Sequence, residues 1–88
     1  MAQHATAEDI EAKMLELVRA REGRNLDPTD VARALGGDKP EGWGPLMQPV
    51  RLAAIRLMKQ GQIVILRKGR PVDPDDFKGI YRLTVGES

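Results

Sequence analysis

The hydrophobic residues of this chain change their spacing once, at Gly61, and that change limits the fold more than any other feature. Before it they recur at the helical period, and after it they form short β-branched runs. Ile10, Met14, Leu17 and Val18 lie on one helical face, with Glu8, Asp9 and Glu11 near the start, where the helix dipole favours anions. This predicts a first helix from about Ala7 to Arg21. Gly23 and Asn25 interrupt the stripe. Asp27 as N-cap and Pro28 at the first helical position then open a second helix that buries Val31, Ala32 and Leu35 and stops at Gly36-Gly37. The stretch from Gly36 to Gly44 holds four glycines and a proline and reads as an irregular linker. A third stripe, Leu46, Val50, Ala53, Ala54, Leu57 and Met58, runs to Gln60. Its regular part is expected from about Pro49, whose ring clashes with the carbonyl four residues back and begins or kinks the helix there.

Beyond Gly61, the run Ile63 to Leu66 and the run Ile80 to Val85 have strand composition and are bounded by glycines, which predicts an antiparallel hairpin with a long, charged connection. The expected fold is therefore α+β and mainly α: a winged helix-turn-helix, with three helices followed by a two-stranded antiparallel β-hairpin wing. An 88-residue chain supports one hydrophobic core. One domain is expected over 6–85, with 1–5 and 86–88 as flexible termini.

The chain has no cysteine, so a disulfide framework and thiolate metal sites are excluded. Glu8, Asp9, Glu11 and Glu16 leave no continuous apolar stretch near the N-terminus, and no signal sequence or membrane span is expected there; a cytoplasmic location follows. The net charge of +1 conceals an asymmetry. Residues 1–42 carry six basic and nine acidic side chains, whereas residues 43–88 carry eight basic and four acidic ones. From Pro49 to Pro71 there are six Lys or Arg and no acid, so an anionic partner should meet the C-terminal half.

At Asp30 to Leu35, Trp43, Leu46-Met47, Val50-Arg51 and above all Arg67-Lys68-Gly69-Arg70-Pro71-Val72-Asp73-Pro74, the sequence resembles a family of short uncharacterised bacterial proteins described only as a domain of unknown function. The resemblance extends from the first helix to the last strand. It implies a winged-helix fold and no activity. It also leads one to expect polar residues on the outer face of the third helix, where this chain has Leu52 and Ile55.

Two functions compete. Projected at about 100° per residue, Gln48, Leu52, Ile55 and Lys59 lie opposite the core stripe of the third helix, with Arg51 and Arg56 on its flanks. Gln48, Arg51, Arg56 and Lys59 suit contacts to bases and phosphates, and Arg67, Lys68 and Arg70 of the wing would add to them. This predicts binding to duplex DNA, and with it a role in transcription regulation. The Arg-Gly-Arg-Pro type of segment is similar to an AT-hook peptide, which lies in the minor groove. For the helix a structural role weighs equally: its cations solvate it while Leu52 and Ile55 pack on the wing, on a chain terminus or on a second copy; at the wing, Gly69 makes a turn, Pro71 and Pro74 stiffen the loop, and the favoured reading of Asp73, Asp75 and Asp76 is that they pair with the nearby arginines. The competing function is a protein-interaction module or homodimer that uses Leu52 and Ile55 as an outward apolar face.

Other features point to no chemistry. Asp73-Pro74-Asp75-Asp76 lacks the alternating ligands, glycine and distal Glu of an EF-hand and reads as a turn or cap. His4 stands without a second histidine or a cysteine, so no metal site is expected. Trp43 reads as an anchor of the linker to the core. With no cysteine, a single histidine and Ser88 at the far end, no nucleophile and base pair is apparent, and there is no phosphate-binding glycine motif. The expectation is a binding protein without a cofactor, not an enzyme.

Overall fold

The computed structural model describes residues 6–21 and 24–86. His4, Gly23 and Ser88 lie outside them. Helix α1 is Ala7–Ala20, and it starts where it does because of a capping box. The Thr6 hydroxyl accepts from the Asp9 N–H at 3.1 Å, and the Asp9 carboxylate accepts from the Thr6 N–H at 3.1 Å, which satisfies two backbone donors the helix cannot. Ile10, Met14 and Val18 are its buried face. Helix α2 is Pro28–Gly36, capped by Asp27, whose carboxylate accepts from the Thr29 N–H at 2.9 Å. Val31 and Ala32 are fully buried, and Leu35 packs at the rim of the core.

The segment expected to be an irregular linker contains a one-turn helix, α3 (Pro40–Trp43), followed by a 3-10 turn over Gly44–Leu46. Pro40 at the first position presets the helical φ. The glycines serve close approach more than irregularity. A Cβ on Gly42 would lie 2.0 Å from the Gly36 carbonyl oxygen, and one on Gly36 would lie 2.4 Å from that of Gly42. The end of α2 and the start of the next turn thus touch backbone to backbone.

Helix α4 is Met47–Lys59, starting two residues before the expected Pro49. Pro49 falls in its first turn, where a backbone N–H would have no partner within the helix, so the ring is tolerated without ending it. Val50, Ala53, Ala54 and Leu57 are buried against α1, α2 and the first strand. The helix the sequence presents as the third is therefore the fourth in order.

The sheet corrects the two-stranded expectation. Strand β1 (Ile63–Arg67) pairs with β2 (Arg70–Pro71) on one side and with β3 (Arg82–Val85) on the other, both antiparallel, in the order β2-β1-β3. Lys68 and Gly69, with φ of 54° and 79°, form the two-residue turn between β1 and β2, and positive φ at both positions matches the right-handed twist of the strands. Leu26, just before α2, adds a bridge beside β3: its N–H donates to the Leu83 carbonyl at 2.7 Å, and the Leu83 N–H donates back at 2.8 Å. Ile63, Ile65 and Leu83 point from the sheet into the helices, completing one core with Ile10, Met14, Leu26, Val31 and Leu57. The Gly86 N–H donates to the Gln62 carbonyl at 3.0 Å, so the packed chain reaches one residue past the expected boundary. The result is a mainly helical α+β domain whose element order is compatible with the arrangement expected from the sequence.

Gly42→Ala should cost about 2 kcal/mol or more, because backbone must move to admit the methyl group. Gly44 already has helical angles, with φ −55° and ψ −49°, and open space beside it. Gly44→Ala should therefore be neutral or stabilise by up to ~1 kcal/mol. Urea unfolding of both variants checks this, and equal midpoints would show that the backbone contact is not tight.

Candidate functional site

The cations of α4 are engaged inside the chain. Arg51, Ile55 and Lys59, four residues apart, share one side of the helix, and the connection between β2 and β3 lies along it. At one end, the Arg51 guanidinium stacks 3.8 Å from the centre of the Phe77 ring and donates to the Phe77 carbonyl. At the other, the Lys59 ammonium meets the Asp75 carboxylate at 2.7 Å. Ile55, expected on an outward face, is partly buried and packs against the core. Arg56 is turned toward α1, where its Nε donates to the Glu11 carboxylate at 2.7 Å. Of the four polar helix residues expected to meet a ligand, Gln48 alone is exposed with no side-chain partner among the described residues.

The wing differs. Arg67 is partly buried, and its Nε donates to the Ile80 carbonyl at 3.1 Å. Lys68, in the turn, and Arg70, just after it, are exposed, with no ion pair among the described residues. The expectation that Asp73, Asp75 and Asp76 neutralise the wing arginines is not met. Asp73 instead closes its own turn, its carboxylate accepting from the Asp75 N–H at 2.9 Å and its carbonyl from the Asp76 N–H at 3.0 Å, while Asp75 reaches Lys59. The AT-hook likeness is also corrected, because Gly69 is the second residue of a tight turn and not part of an extended segment. Leu66, Arg67, Lys68, Gly69 and the segment Gly79 to Arg82 line an open cavity of about 610 Å³. No acidic side chain is among these lining residues.

Two members of this surface were not singled out from the sequence: Ile80 and Arg82. The signal was present. Tyr81 and Leu83 are the inward residues of the last run, so strand alternation assigns Ile80 and Arg82 to the outer face. Ile80 is 78% exposed, against 46% for Leu52 and 39% for Val85. Arg82 is exposed, and its Nη1 lies 3.7 Å from the Asp27 carboxylate and donates to the Tyr81 carbonyl at 3.2 Å.

Phe77 and Tyr81 hold this region to the core. Both are buried, and their rings meet edge to face with centres 5.3 Å apart. The Tyr81 hydroxyl is buried without a hydrogen-bond partner. Burial pushes its pKa from 10.0 up to about 12, with Arg51 opposing the rise and Asp27 adding to it. Trp43 packs against the core as an anchor, with the Arg33 guanidinium 5.4 Å from its ring centre. Leu52 lies beside a shallow groove of about 190 Å³ between α1 and α4, lined by Ala7, Ile10, Gln48, Pro49 and Arg56. Among the described residues, no group of three or more His, Cys, Asp or Glu is placed to hold a metal ion, and no helix is long and apolar enough to cross a membrane.

The molecule is thus a small, mainly helical α+β domain with a cationic edge at its sheet turn. It belongs to the family described as a protein of unknown function, DUF3253, which matches residues 7–86. No curated protein matches the chain.

Tyr81→Phe removes an unpaired buried hydroxyl and should raise stability by about 1 kcal/mol near neutral pH. Because the tyrosine pKa is higher in the folded state than in the unfolded one, its contribution is complete below pH 10 and is lost as pH rises toward 12. Tyr81→Phe should flatten that alkaline loss. Unfolding midpoints at pH 7 and pH 11 check both signs, and a less stable variant at pH 7 would mean that the hydroxyl has a partner.

Proposed function

We propose that this protein is a winged-helix domain that binds duplex nucleic acid, DNA first, chiefly through its wing, and so acts in transcription regulation. The observation that carries the reading is the direction of the acidic turn. Asp75 reaches back to Lys59 on α4, and the wing cations Lys68 and Arg70 are left unneutralised among the described residues. Positive potential is thereby focused on the turn, instead of on α4, where Arg51, Arg56 and Lys59 are engaged within the chain. The winged-helix reading is supported by the element order, including the Leu26 bridge between the first two helices and the wing beside α4.

Lys68 adds a second line of support. A two-residue turn with positive φ at both positions favours Asn or Gly first, and a lysine held at φ 54° costs about 1 kcal/mol. A local rule broken at an exposed, charged position fits a side chain kept for what its ammonium group contacts. The reading is of a binding module, not of an enzyme.

The test is titration of the chain against random-sequence duplex DNA over a range of salt. Affinity should fall steeply as salt rises, because each neutralised phosphate releases counterions. Lys68→Ala combined with Arg70→Ala should lower the slope of log affinity against log salt by about 2, whereas Lys59→Ala should leave it nearly unchanged. Absence of binding at low salt would falsify the reading. Lys68→Asn gives a separate check: it should stabilise the fold by up to ~1 kcal/mol while weakening binding.

One observation favours a second reading, a protein contact at the groove between α1 and α4. Leu52 is exposed beside it, although Ile55 no longer contributes. In that case the chain should self-associate or capture a partner through Leu52. Sedimentation equilibrium of the wild type and of Leu52→Glu distinguishes the two, since a strict monomer unaffected by the substitution excludes the homodimer.

A further inference from the structure

We infer that Ile80 is an apolar wedge which the wing inserts at a base step of bound DNA, an inference that rests on the nucleic-acid reading above. Among the described residues, Ile80 is the most exposed large hydrophobic side chain, and its backbone is held from several directions. Phe77 and Tyr81 on either side are buried in the core. The Arg67 Nε donates to the Ile80 carbonyl at 3.1 Å. The same guanidinium crosses Gly79 so closely that a Cβ there would lie 3.0 Å from its terminal nitrogen, and Gly79 has a φ of 87°, which suits glycine. Lys78-Gly79-Ile80 is therefore a held bulge between two buried aromatic anchors, with the isoleucine at its crest.

The surroundings narrow the ligand. Ile80 shares its cavity with Arg67, Lys68 and Arg82, and the Asp27 carboxylate, 3.7 Å from Arg82, lies outside the lining. An apolar side chain ringed by cations complements a surface that offers an apolar face flanked by negative charge. Stacked bases between two phosphate backbones have that pattern, and apolar side chains inserted at a base step from the minor groove are a known way of kinking a duplex. An anionic bilayer offers negative charge as well, but stable attachment there needs much more apolar area than one isoleucine supplies. Preorganisation also favours the wedge, because a side chain presented on a fixed backbone loses little conformational freedom on insertion.

The experiment uses the full chain and a duplex with a central, easily unstacked TA step, labelled at its ends for energy transfer and carrying 2-aminopurine at that step. Wild-type protein should shorten the end-to-end distance and raise the 2-aminopurine fluorescence. Ile80→Ser should abolish both signals at saturation, weaken binding by roughly tenfold through lost apolar contact, and leave the salt slope unchanged. Because the side chain is exposed, its thermal unfolding should match the wild type. Arg70→Ala should do the reverse, lowering the salt slope while the saturated complex keeps both signals. Wild-type binding without bending or unstacking, or signals retained by Ile80→Ser, would overturn the wedge and leave the nucleic-acid reading standing. Absence of any duplex binding would overturn both. Binding to phosphatidylserine vesicles that depends on Ile80, with duplex binding that does not, would overturn the wedge in favour of a lipid surface.

Discussion

The contact between Arg51 and Phe77 decides which charges this protein shows. A guanidinium stacked on a ring and bonded to the same residue's carbonyl ties the connection before β3 to the side of α4. Phe77 is itself buried and meets Tyr81 edge to face, so the tie continues into the core. Once the connection is held there, Asp75 is within reach of Lys59, and the acidic turn is committed to the helix. The wing tip is left with its cations and without the counter-charges that stand nearest to it in sequence. One cation–π contact thus separates two groups of basic residues that look continuous from Pro49 to Pro71.

The fold was legible in the sequence where a local signal and a burial signal agreed. Asp27 and Pro28 opened α2 as expected, and the stripes of α1 and α4 became the buried faces the spacing assigned to them. Legibility failed where glycine had two meanings. Gly36 and Gly42 look like breakers, yet they are space for a backbone crossing, and only the three-dimensional approach of α2 and α3 distinguishes the two. The short strand β2 was hidden for a related reason. Arg70-Pro71 has no strand composition and is strand only because the Lys68-Gly69 turn lays it against β1.

The candidate site was less legible than the fold. The seven candidate residues are polar or basic and lie in the acid-free run or beside it, and sequence proximity is a poor guide to electrostatic partnership. Arg56 meets Glu11 from the far end of the chain, and Lys59 meets Asp75 across the whole hairpin, while the acids near Arg70 in sequence face elsewhere. Ile80 and Arg82 were reachable by strand alternation once Tyr81 and Leu83 were taken as inward. Composition hides them, because neither belongs to a cluster of like charges.

The two cations tied to the wing connection are not held alike, and the difference bears on what α4 can do when a polyanion approaches. Lys59 and Asp75 are both more than half exposed, so their ion pair is worth a few tenths of a kcal/mol and is screened by salt. Opening it costs little, but the freed Asp75 carboxylate would then face the approaching phosphate, so the pair offers a polyanion no net attraction. Arg51 is different. It is partly buried, its guanidinium covers an aromatic ring, and releasing it would uncover Phe77 and leave a carbonyl without its donor. Lys59 is therefore a weakly held partner of Asp75 and Arg51 a structural tie, so the connection stays on α4 through the arginine more than through the ion pair.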